Sequence, residues 1–269
     1  MDNNFFGFED DTDLGASGVQ KHVMPLFLIV DTSGSMSGEK IEQVKTAVEN
    51  IKVELARLNM SNDDAEVKLS VLCFDTAPRW ECKVQDPSSA NPDFRLGGLT
   101  NMGAAFKVLE TMLSRSQLIQ KGQCAGYKRA VLILLTDGVP TDDVDAGIKV
   151  LKGNNWFVKG TRIGFAIGED ADRSCLKKFT GNPETVLNVD NIAILSTILA
   201  NVAVVASTTA THAVGAGSED DMASQKRRDE EFEKTASDTA GTVESVVETL
   251  QVEGKIDDDD AEALFGGWE

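Results

Sequence analysis

The chain has 269 residues, of which 41% are hydrophobic and 26% charged, and its formal net charge is −18. This length and apolar content are enough for one full-sized domain and exclude a fibrous, collagen-like or wholly disordered protein. The sequence also argues against nucleic acid as a partner, because phosphate binding uses clustered Lys and Arg side chains and no such cluster is present.

The charge is concentrated at the two ends of the chain. Residues 1–22 have a net charge of −4 and residues 218–269 a net charge of −12, whereas the segment between them is nearly neutral at −2. Segments rich in acids and poor in branched apolar residues cannot bury enough surface to offset chain entropy. We therefore predict an acidic N-terminal tail over 1–22, a domain over 23–206, and an acidic, largely flexible C-terminal tail over 207–269.

Short apolar runs alternate with helical patterns along the middle of the chain, which is typical of parallel strands joined by crossover helices. Runs that are apolar throughout indicate strands buried on both faces, and the alternating segment 80–84 indicates an antiparallel edge strand. The predicted parallel strands are 26–30, 67–74, 130–135, 163–167 and, more weakly, 186–189. The predicted fold is α/β, with a doubly wound, mostly parallel sheet and helices on both faces.

Apolar residues at helical spacing predict the crossover helices. These helices cover 41–58, 102–113, a segment from about 141, 172–179 and 192–206. The apolar part of the last of them, 192–206, covers only 15 residues, fewer than the roughly 20 that a membrane span needs. We expect it to pack in the core and expect no membrane association. Its predicted buried positions are Ile192, Leu195, Leu199, Val202 and Val205.

The cysteines and the N-terminus indicate a cytoplasmic protein. Cys73, Cys82, Cys124 and Cys175 lack the spacing of zinc ligands, and the acidic start of the chain does not resemble a secretory signal. In the C-terminal tail we expect at most local helix over 222–234 and 243–252, and loop or disorder over the acidic run 257–260.

Two predicted strands end in polar residues. Asp31, Ser33 and Ser35 follow the first strand, and Asp137 follows the strand at 130–135. Ligands of open α/β sheets bind in the crevice at the carboxyl ends of the strands, so these side chains are expected to converge there. Thr100, in a glycine-containing loop before a predicted helix, supplies one more hydroxyl. Asp, Ser and Gly are also ordinary turn and N-cap residues, so the first junction alone is equally consistent with a turn.

The five candidate residues offer only oxygen donors. Two carboxylates and three hydroxyls, without His or Cys, suit one hard divalent cation such as Mg²⁺ or Mn²⁺.

The sequence over about residues 24–206 resembles von Willebrand factor A (VWA) domains. The residues that carry the resemblance match the metal-ion-dependent adhesion site of these domains in type and order, and they are Asp31-x-Ser33-x-Ser35, Thr100 and Asp137. The resemblance implies that Ser33, Ser35 and Thr100 contact the metal directly. It implies that Asp31 and Asp137 reach the metal directly or through water. The sixth coordination position is then left for water or for an Asp or Glu of a partner protein.

Two segments, GGLTNMGAAF from Gly97 and LLTDGVPTD from Leu134, look most similar to bacterial intracellular members of the tellurite-resistance-associated TerY type. That likeness implies a cytoplasmic stress-response or signalling system and association with a protein kinase and a phosphatase.

The sequence therefore favours a non-catalytic, metal-dependent scaffold or adaptor. One alternative is an adaptor of an AAA-type ATPase. Another is a phosphotransfer enzyme of the haloacid dehalogenase type with Asp31 as nucleophile, although position 33, where such enzymes carry a second Asp, is Ser. A further expectation is that a tail carboxylate, such as one from Asp257 to Asp260, competes for the open metal position of a neighbouring copy.

Overall fold

A computed structural model describes residues 20–118, 124–212 and 225–266. Seven strands form one sheet in the order β3-β2-β1-β5-β6-β7, with β4 paired beside β1. The strands are β1 His22–Asp31, β2 Ala65–Phe74, β3 Pro78–Gln85, β4 Gly126–Tyr127, β5 Val131–Thr136, β6 Thr161–Ile167 and β7 Val186–Val189.

The sheet is parallel except at one edge. β1 pairs in parallel with β2, β4 and β5, and β6 pairs in parallel with β5 and β7. β3 runs antiparallel to β2, with register shifts on either side of Val71. The predicted mostly parallel sheet with an antiparallel edge strand is therefore confirmed.

Helices cover both faces of the sheet. They are α1 Glu39–Ser61, α2 Met102–Met112, α3 Arg115–Leu118, α4 Val144–Lys152, α5 Asn155–Lys159, α6 Arg173–Thr180, α7 Leu195–His212, α8 Gln225–Val252 and α9 Asp258–Phe265. Alternate residues of β1 point to opposite faces, so that Leu28 packs with α1 and α7 and Ile29 packs with α2, α4, α5 and α6.

The helix that follows β7 is long and apolar enough to cross a membrane by length and composition, over Ile192–His212. It packs instead beside α1 on one face of the sheet, where Leu195, Leu199 and Val202 are buried. The predicted burial of Val205 is wrong, because this side chain is 38% exposed. The helix also continues past the predicted end at residue 206.

Residues 225–266 differ from the expected flexible tail, because they form α8 and α9 and pack on the domain. The buried face of α8 includes small and weakly polar residues such as Thr235, Ala236 and Thr239 beside Phe232 and Val243. These residues recur at helical spacing but make the segment polar in composition. Residues 1–19, 213–224 and 267–269 of the predicted tails lie outside the described residues.

One buried arginine fastens α8 to the sheet. The Arg162 side chain at the start of β6 is fully buried and donates hydrogen bonds to five backbone carbonyls. The Phe232 carbonyl of α8 is one of them, at 2.8 Å, and the guanidinium lies 4.0 Å from the centre of the Phe232 ring. Gly181 makes room for this ring, since a Cβ there would lie 2.4 Å from it. The other four carbonyls belong to Phe157, Val158, Gly160 and Thr180.

The C-terminal helices pass around the β7 edge. Phe232 packs on the α5 side of the sheet, whereas Val243 and Leu250 of the same helix pack on the α7 side. α9 then packs on β7, where the Asn188 side chain donates to the Gly266 carbonyl. The acidic run expected as loop forms the start of α9, because Asp257 accepts from the Asp260 backbone N–H and acids stabilise a helix N-terminus.

Candidate metal centre

Asp31 is the last residue of β1, and its carboxylate is fully buried at the carboxyl edge of the sheet. One oxygen accepts from the Ser33 backbone N–H at 2.8 Å, and the other accepts from the Thr136 hydroxyl at 2.6 Å. Burial raises the pKa of Asp31 and the nearby Asp137 adds to this rise, while the hydrogen bonds from Thr136 and Ser33 oppose it. The carboxylate is thus held in one orientation by the neighbouring strand β5.

Ser33, Ser35 and Asp137 form a chain of short oxygen contacts. The two serine hydroxyls lie 3.0 Å apart, and the Ser35 hydroxyl donates to Asp137 Oδ1 at 2.7 Å. A short helical turn over Gly34–Met36 positions the two serines, and Asp137 is the residue that follows β5. The two strand ends therefore bring their polar side chains together as predicted.

Thr100 reaches the same place from the loop before α2. Its backbone N–H donates to the Thr141 hydroxyl at 3.1 Å, and its carbonyl accepts from the Thr141 N–H at 2.9 Å. A Cβ built on Gly138 would lie 3.6 Å from Thr100 Oγ1 and 3.8 Å from Ser35 Oγ. Both hydroxyls thus lie next to Gly138, and all five predicted site residues meet at one edge of the sheet.

Sequence reasoning missed the residues that shape the Thr100 loop. The loop passes so close to Asp75 that a Cβ on Gly97 would lie 2.2 Å from the Asp75 carboxyl carbon. Arg79 donates to Asp75 and to the Arg95 carbonyl and so connects β3 with the loop. The adjacent Gly97 and Gly98 were the only sequence signal of this close approach.

A second missed feature is the cap of α2, the helix that follows Thr100. The Asp142 carboxylate accepts from the Gly103 and Ala104 backbone N–H groups at 2.8 and 2.7 Å. The next residue, Asp143, is the N-cap of α4. Asp142 therefore ties the Asp137 loop to the Thr100 loop.

Lys40 is the third feature that sequence reasoning missed. It lies in the first turn of α1, and its ammonium donates to Asp137 Oδ2 at 2.6 Å. The Asp137 side chain is fully buried, whereas the Lys40 side chain is 27% exposed. A lysine in the first helical turn, where the helix dipole favours acids, was the available signal.

The donor set fits a hard cation. In an octahedral shell with Mg²⁺–oxygen distances of 2.0–2.1 Å, neighbouring ligand oxygens lie about 2.9 Å apart. The Ser33–Ser35 and Ser35–Asp137 oxygen contacts, at 3.0 and 2.7 Å, match this spacing. Among the described residues, no three His, Cys, Asp or Glu side chains form a metal cluster, so a metal here would depend on the hydroxyl ligands.

Three exposed aliphatic side chains lie in the loops that carry Thr100 and Asp137. Leu96 and Leu99, in the Thr100 loop, are 43% and 49% exposed, and Val139, two residues after Asp137, is 63% exposed. We call these three residues the apolar rim. Large aliphatic groups exposed beside a polar centre are typical of a protein-binding surface.

A family model described as the von Willebrand factor type A domain matches residues 26–201. Among solved structures, proximal thread matrix protein 1 from the mussel byssus with a zinc-occupied metal-ion-dependent adhesion site is similar, with a TM-score of 0.55 and 16% identity. That likeness covers 70% of this chain and 49% of that one. The pilus adhesin SpaC from Lactobacillus rhamnosus GG has a TM-score of 0.55 and 17% identity, covering 72% of this chain and 32% of the adhesin.

Two curated proteins have similar sequences. Inter-alpha-trypsin inhibitor heavy chain H1 of Bos taurus is 27% identical over 162 residues, which is 55% of this chain and 17% of that protein. The collagen alpha-5(VI) chain of Homo sapiens is 27% identical over 176 residues, which is 62% of this chain and 6% of that protein. The chain thus spans only a small part of the length of these relatives.

Proposed function

Because the chain belongs to the von Willebrand factor type A family, we propose that it is a divalent-metal-dependent protein-binding module that acts as a scaffold or adaptor. The observation that carries this proposal is the meeting of Asp31, Ser33, Ser35, Thr100 and Asp137 at one sheet edge. The zinc in the related byssus protein supports a divalent ion at this type of site. For this chain we propose Mg²⁺ or Mn²⁺, because all five donors are oxygens.

Each of the five residues has a distinct part in the proposed site. The hydroxyls of Ser33, Ser35 and Thr100 would bind the metal directly, and Asp31 and Asp137 would supply the balancing negative charge. The bound metal would offer an open coordination position that attracts a carboxylate oxygen. Thr136 fixes Asp31 through its 2.6 Å hydrogen bond, so this carboxylate need not reorganise on metal binding.

We propose that the partner is a protein that presents an Asp or Glu flanked by apolar side chains. The metal would take the carboxylate, and the apolar rim of Leu96, Leu99 and Val139 would take the flanking groups. This arrangement would give metal-dependent binding without a catalytic group.

The finer assignment to the TerY type rests on the two sequence segments around Thr100 and Asp137. With it we propose a bacterial cytoplasmic stress-response or signalling setting, with a protein kinase and a phosphatase as partners. The four cysteines, all free in the structure, are consistent with a reducing compartment. An adaptor of an AAA-type ATPase would use the same site and differs only in the partner.

The geometry does not favour the phosphotransfer alternative. Both oxygens of Asp31 already accept short hydrogen bonds, from Ser33 and from Thr136, so the carboxylate is a poor nucleophile. His22 lies at the opposite end of β1 and contacts Asp64 there. His212 is the last residue of α7.

Thermal unfolding with added metal tests the proposed metal site. Metal at 100 times its dissociation constant should stabilise the protein by about 2.7 kcal/mol, and EDTA should remove this gain. Thr100→Ala should abolish the metal response while circular dichroism stays unchanged. Thr111→Ala, at a hydroxyl on the exposed side of α2, is the matched control and should keep the response.

Affinity capture tests the proposed partner binding. A partner recovered from a bacterial lysate in Mg²⁺ should be lost in EDTA and with Thr100→Ala, but not with Thr111→Ala. An unchanged melting temperature of the wild type across millimolar Mg²⁺, Mn²⁺ and EDTA would contradict the metal site itself. Phosphoester turnover that disappears in Asp31→Asn would instead favour the enzyme.

A further inference from the structure

We propose that Lys40 is an internal counter-cation of the site, which competes with the divalent metal for Asp137 and makes the metal-loaded site selective for an anionic partner group. This inference rests on the proposed function, since it concerns the regulation of the same metal site. It assigns a role to a residue outside the five-residue donor set.

The contact between Lys40 and Asp137 is built into the fold. Lys40 extends from the first turn of α1 across the end of the sheet and donates to Asp137 Oδ2 at 2.6 Å. Gly168, which follows β6, lies beside it, since a Cβ built there would make an ordinary contact with Lys40 Nζ at 3.8 Å. Gly168 has a φ of +78°, a backbone conformation that glycine adopts without strain. Two strand ends and one helix thus define the position of this ammonium.

Both oxygens of Asp137 are already in use. Oδ1 accepts from the Ser35 hydroxyl and Oδ2 accepts from Lys40, and the Asp137 side chain is fully buried. Two carboxylates, Asp31 and Asp137, would repel each other here without a cation. Lys40 therefore supplies positive charge to the metal-free site.

The same charge has the opposite effect on metal binding. A divalent ion bound to Asp137 would lie close to the Lys40 ammonium, and repulsion between two cations in a partly buried site weakens binding. At the loaded site, the two carboxylates, the Lys40 ammonium and the divalent metal would together have a formal charge of +1. A neutral site would result without Lys40, so Lys40 would favour an incoming carboxylate.

Mn²⁺ titration of a lysine variant tests the first part of the proposal. In Lys40→Met, which keeps the length of the side chain without its charge, Mn²⁺ affinity measured by calorimetry should rise about tenfold. The melting temperature in EDTA should fall, and the metal-induced rise in melting temperature should be larger than in the wild type. Lys40→Gln should repeat the result, and Lys40→Arg, which keeps the charge, should stay close to the wild type.

A matched control comes from the same helix. Lys45 pairs with Glu42 at 2.7 Å on the exposed side of α1. Lys45→Met should therefore change neither Mn²⁺ affinity nor the metal-induced shift. A lysine with a purely structural role at position 40 would lower stability without raising metal affinity.

Acetate tests the second part of the proposal. Acetate added to the Mn²⁺-loaded wild type should displace bound water and lower water-proton relaxation, and Lys40→Met should need about threefold more acetate.

Equal Mn²⁺ and acetate affinities in wild type, Lys40→Met and Lys40→Gln would overturn the role of Lys40 and leave the metal site standing. Failure of wild type and variants alike to bind Mn²⁺ would overturn both proposals. Mn²⁺ binding by the neutral variants alone would support the competition and show that Lys40 blocks the metal in the wild type.

Discussion

The Arg162 cluster and the candidate metal centre both bury charged side chains, and they do so in different ways. At the start of β6, the Arg162 guanidinium is buried between aromatic rings, and its five hydrogen bonds all go to backbone carbonyls. At the carboxyl edge of the sheet, Asp31 and Asp137 are also buried, but their partners are hydroxyls, one backbone N–H and a partly exposed lysine.

The difference distinguishes a buried charge that stabilises the fold, Arg162, from buried charges that we propose bind a ligand, Asp31 and Asp137. Burial lowers the pKa of Arg162 to about 9, and carbonyl oxygens on several elements offset that desolvation. This guanidinium is fully buried, and its hydrogen bonds are made within the protein. At the candidate metal centre the hydroxyls have oxygen lone pairs left over and Ser35 is exposed, which are the features that a further cation would need.

We expect the largest loss of stability when the buried charge of Arg162 is removed. Arg162→Leu should lower the free energy of unfolding by at least about 3 kcal/mol, because five buried carbonyls lose their donor. Urea unfolding measures this change. Arg57→Leu, whose exposed side chain pairs with Glu54 on α1, should cost less than about 1 kcal/mol. A similar small cost for Arg162→Leu would remove the distinction between the two clusters.

The ring that packs against Arg162 should have the next largest effect. Phe232→Ala should cost about 3–4 kcal/mol, because the ring is buried beside Gly181 and Phe157. Val252→Ala, at an 88% exposed position on the same helix, should change stability by less than about 0.5 kcal/mol. Equal effects of the two variants in urea unfolding would mean that α8 is the flexible tail expected from composition.

An intermediate effect is expected at the loop that carries Thr100. Gly97→Ala would place a methyl group against Asp75, and it should cost about 1–3 kcal/mol and reduce the stabilisation by Mg²⁺. The control is Gly241→Ala, because nothing lies within 4 Å of the added group inside α8. That variant should gain up to about 1 kcal/mol from helix propensity. Thermal melts with and without Mg²⁺ measure both effects.

The smallest effect on stability is expected at the apolar rim. Val139→Ser should leave the free energy of unfolding within about 0.5 kcal/mol of the wild type. It should nevertheless weaken metal-dependent partner capture, because in the proposed complex the rim would contact the partner and not the core. Val53→Ser, at a 51% exposed position on α1, is the control. If Val139→Ser and Val53→Ser capture equal amounts of partner, Val139 does not contribute to binding and the metal alone would account for it.

Local patterns were sufficient for much of the fold and for the convergence of the five site residues. The buried strands are apolar throughout, and Asp31 and Asp137 follow two of them directly. Because β1 and β5 are neighbouring parallel strands, their carboxyl ends meet at one edge. Sequence order and element type were therefore enough to bring these side chains together.

Long-range contacts explain what the sequence did not reveal. The Lys40–Asp137 contact joins residues 97 apart, and the Arg162–Phe232 contact joins residues 70 apart. The lysine in the first turn of α1 is locally unusual, but no local pattern identifies the distant partner in either contact. α8 was missed as a packed helix because its buried face includes Thr and Ala, which composition counts as weakly apolar.

The course of α8 and α9 around β7 also determines how another chain can associate with this sheet. A sheet edge with free backbone groups invites strand addition, and natural proteins prevent it by covering the edge or by bulges. In the part of the chain that the structure describes, α9 packs on β7, and the opposite edge strand β3 has an irregular register. Both edges are thus poor templates for a foreign strand. Recognition of this domain should therefore depend on side-chain chemistry, and the protein should resist edge-to-edge aggregation as long as its C-terminal helices stay in place.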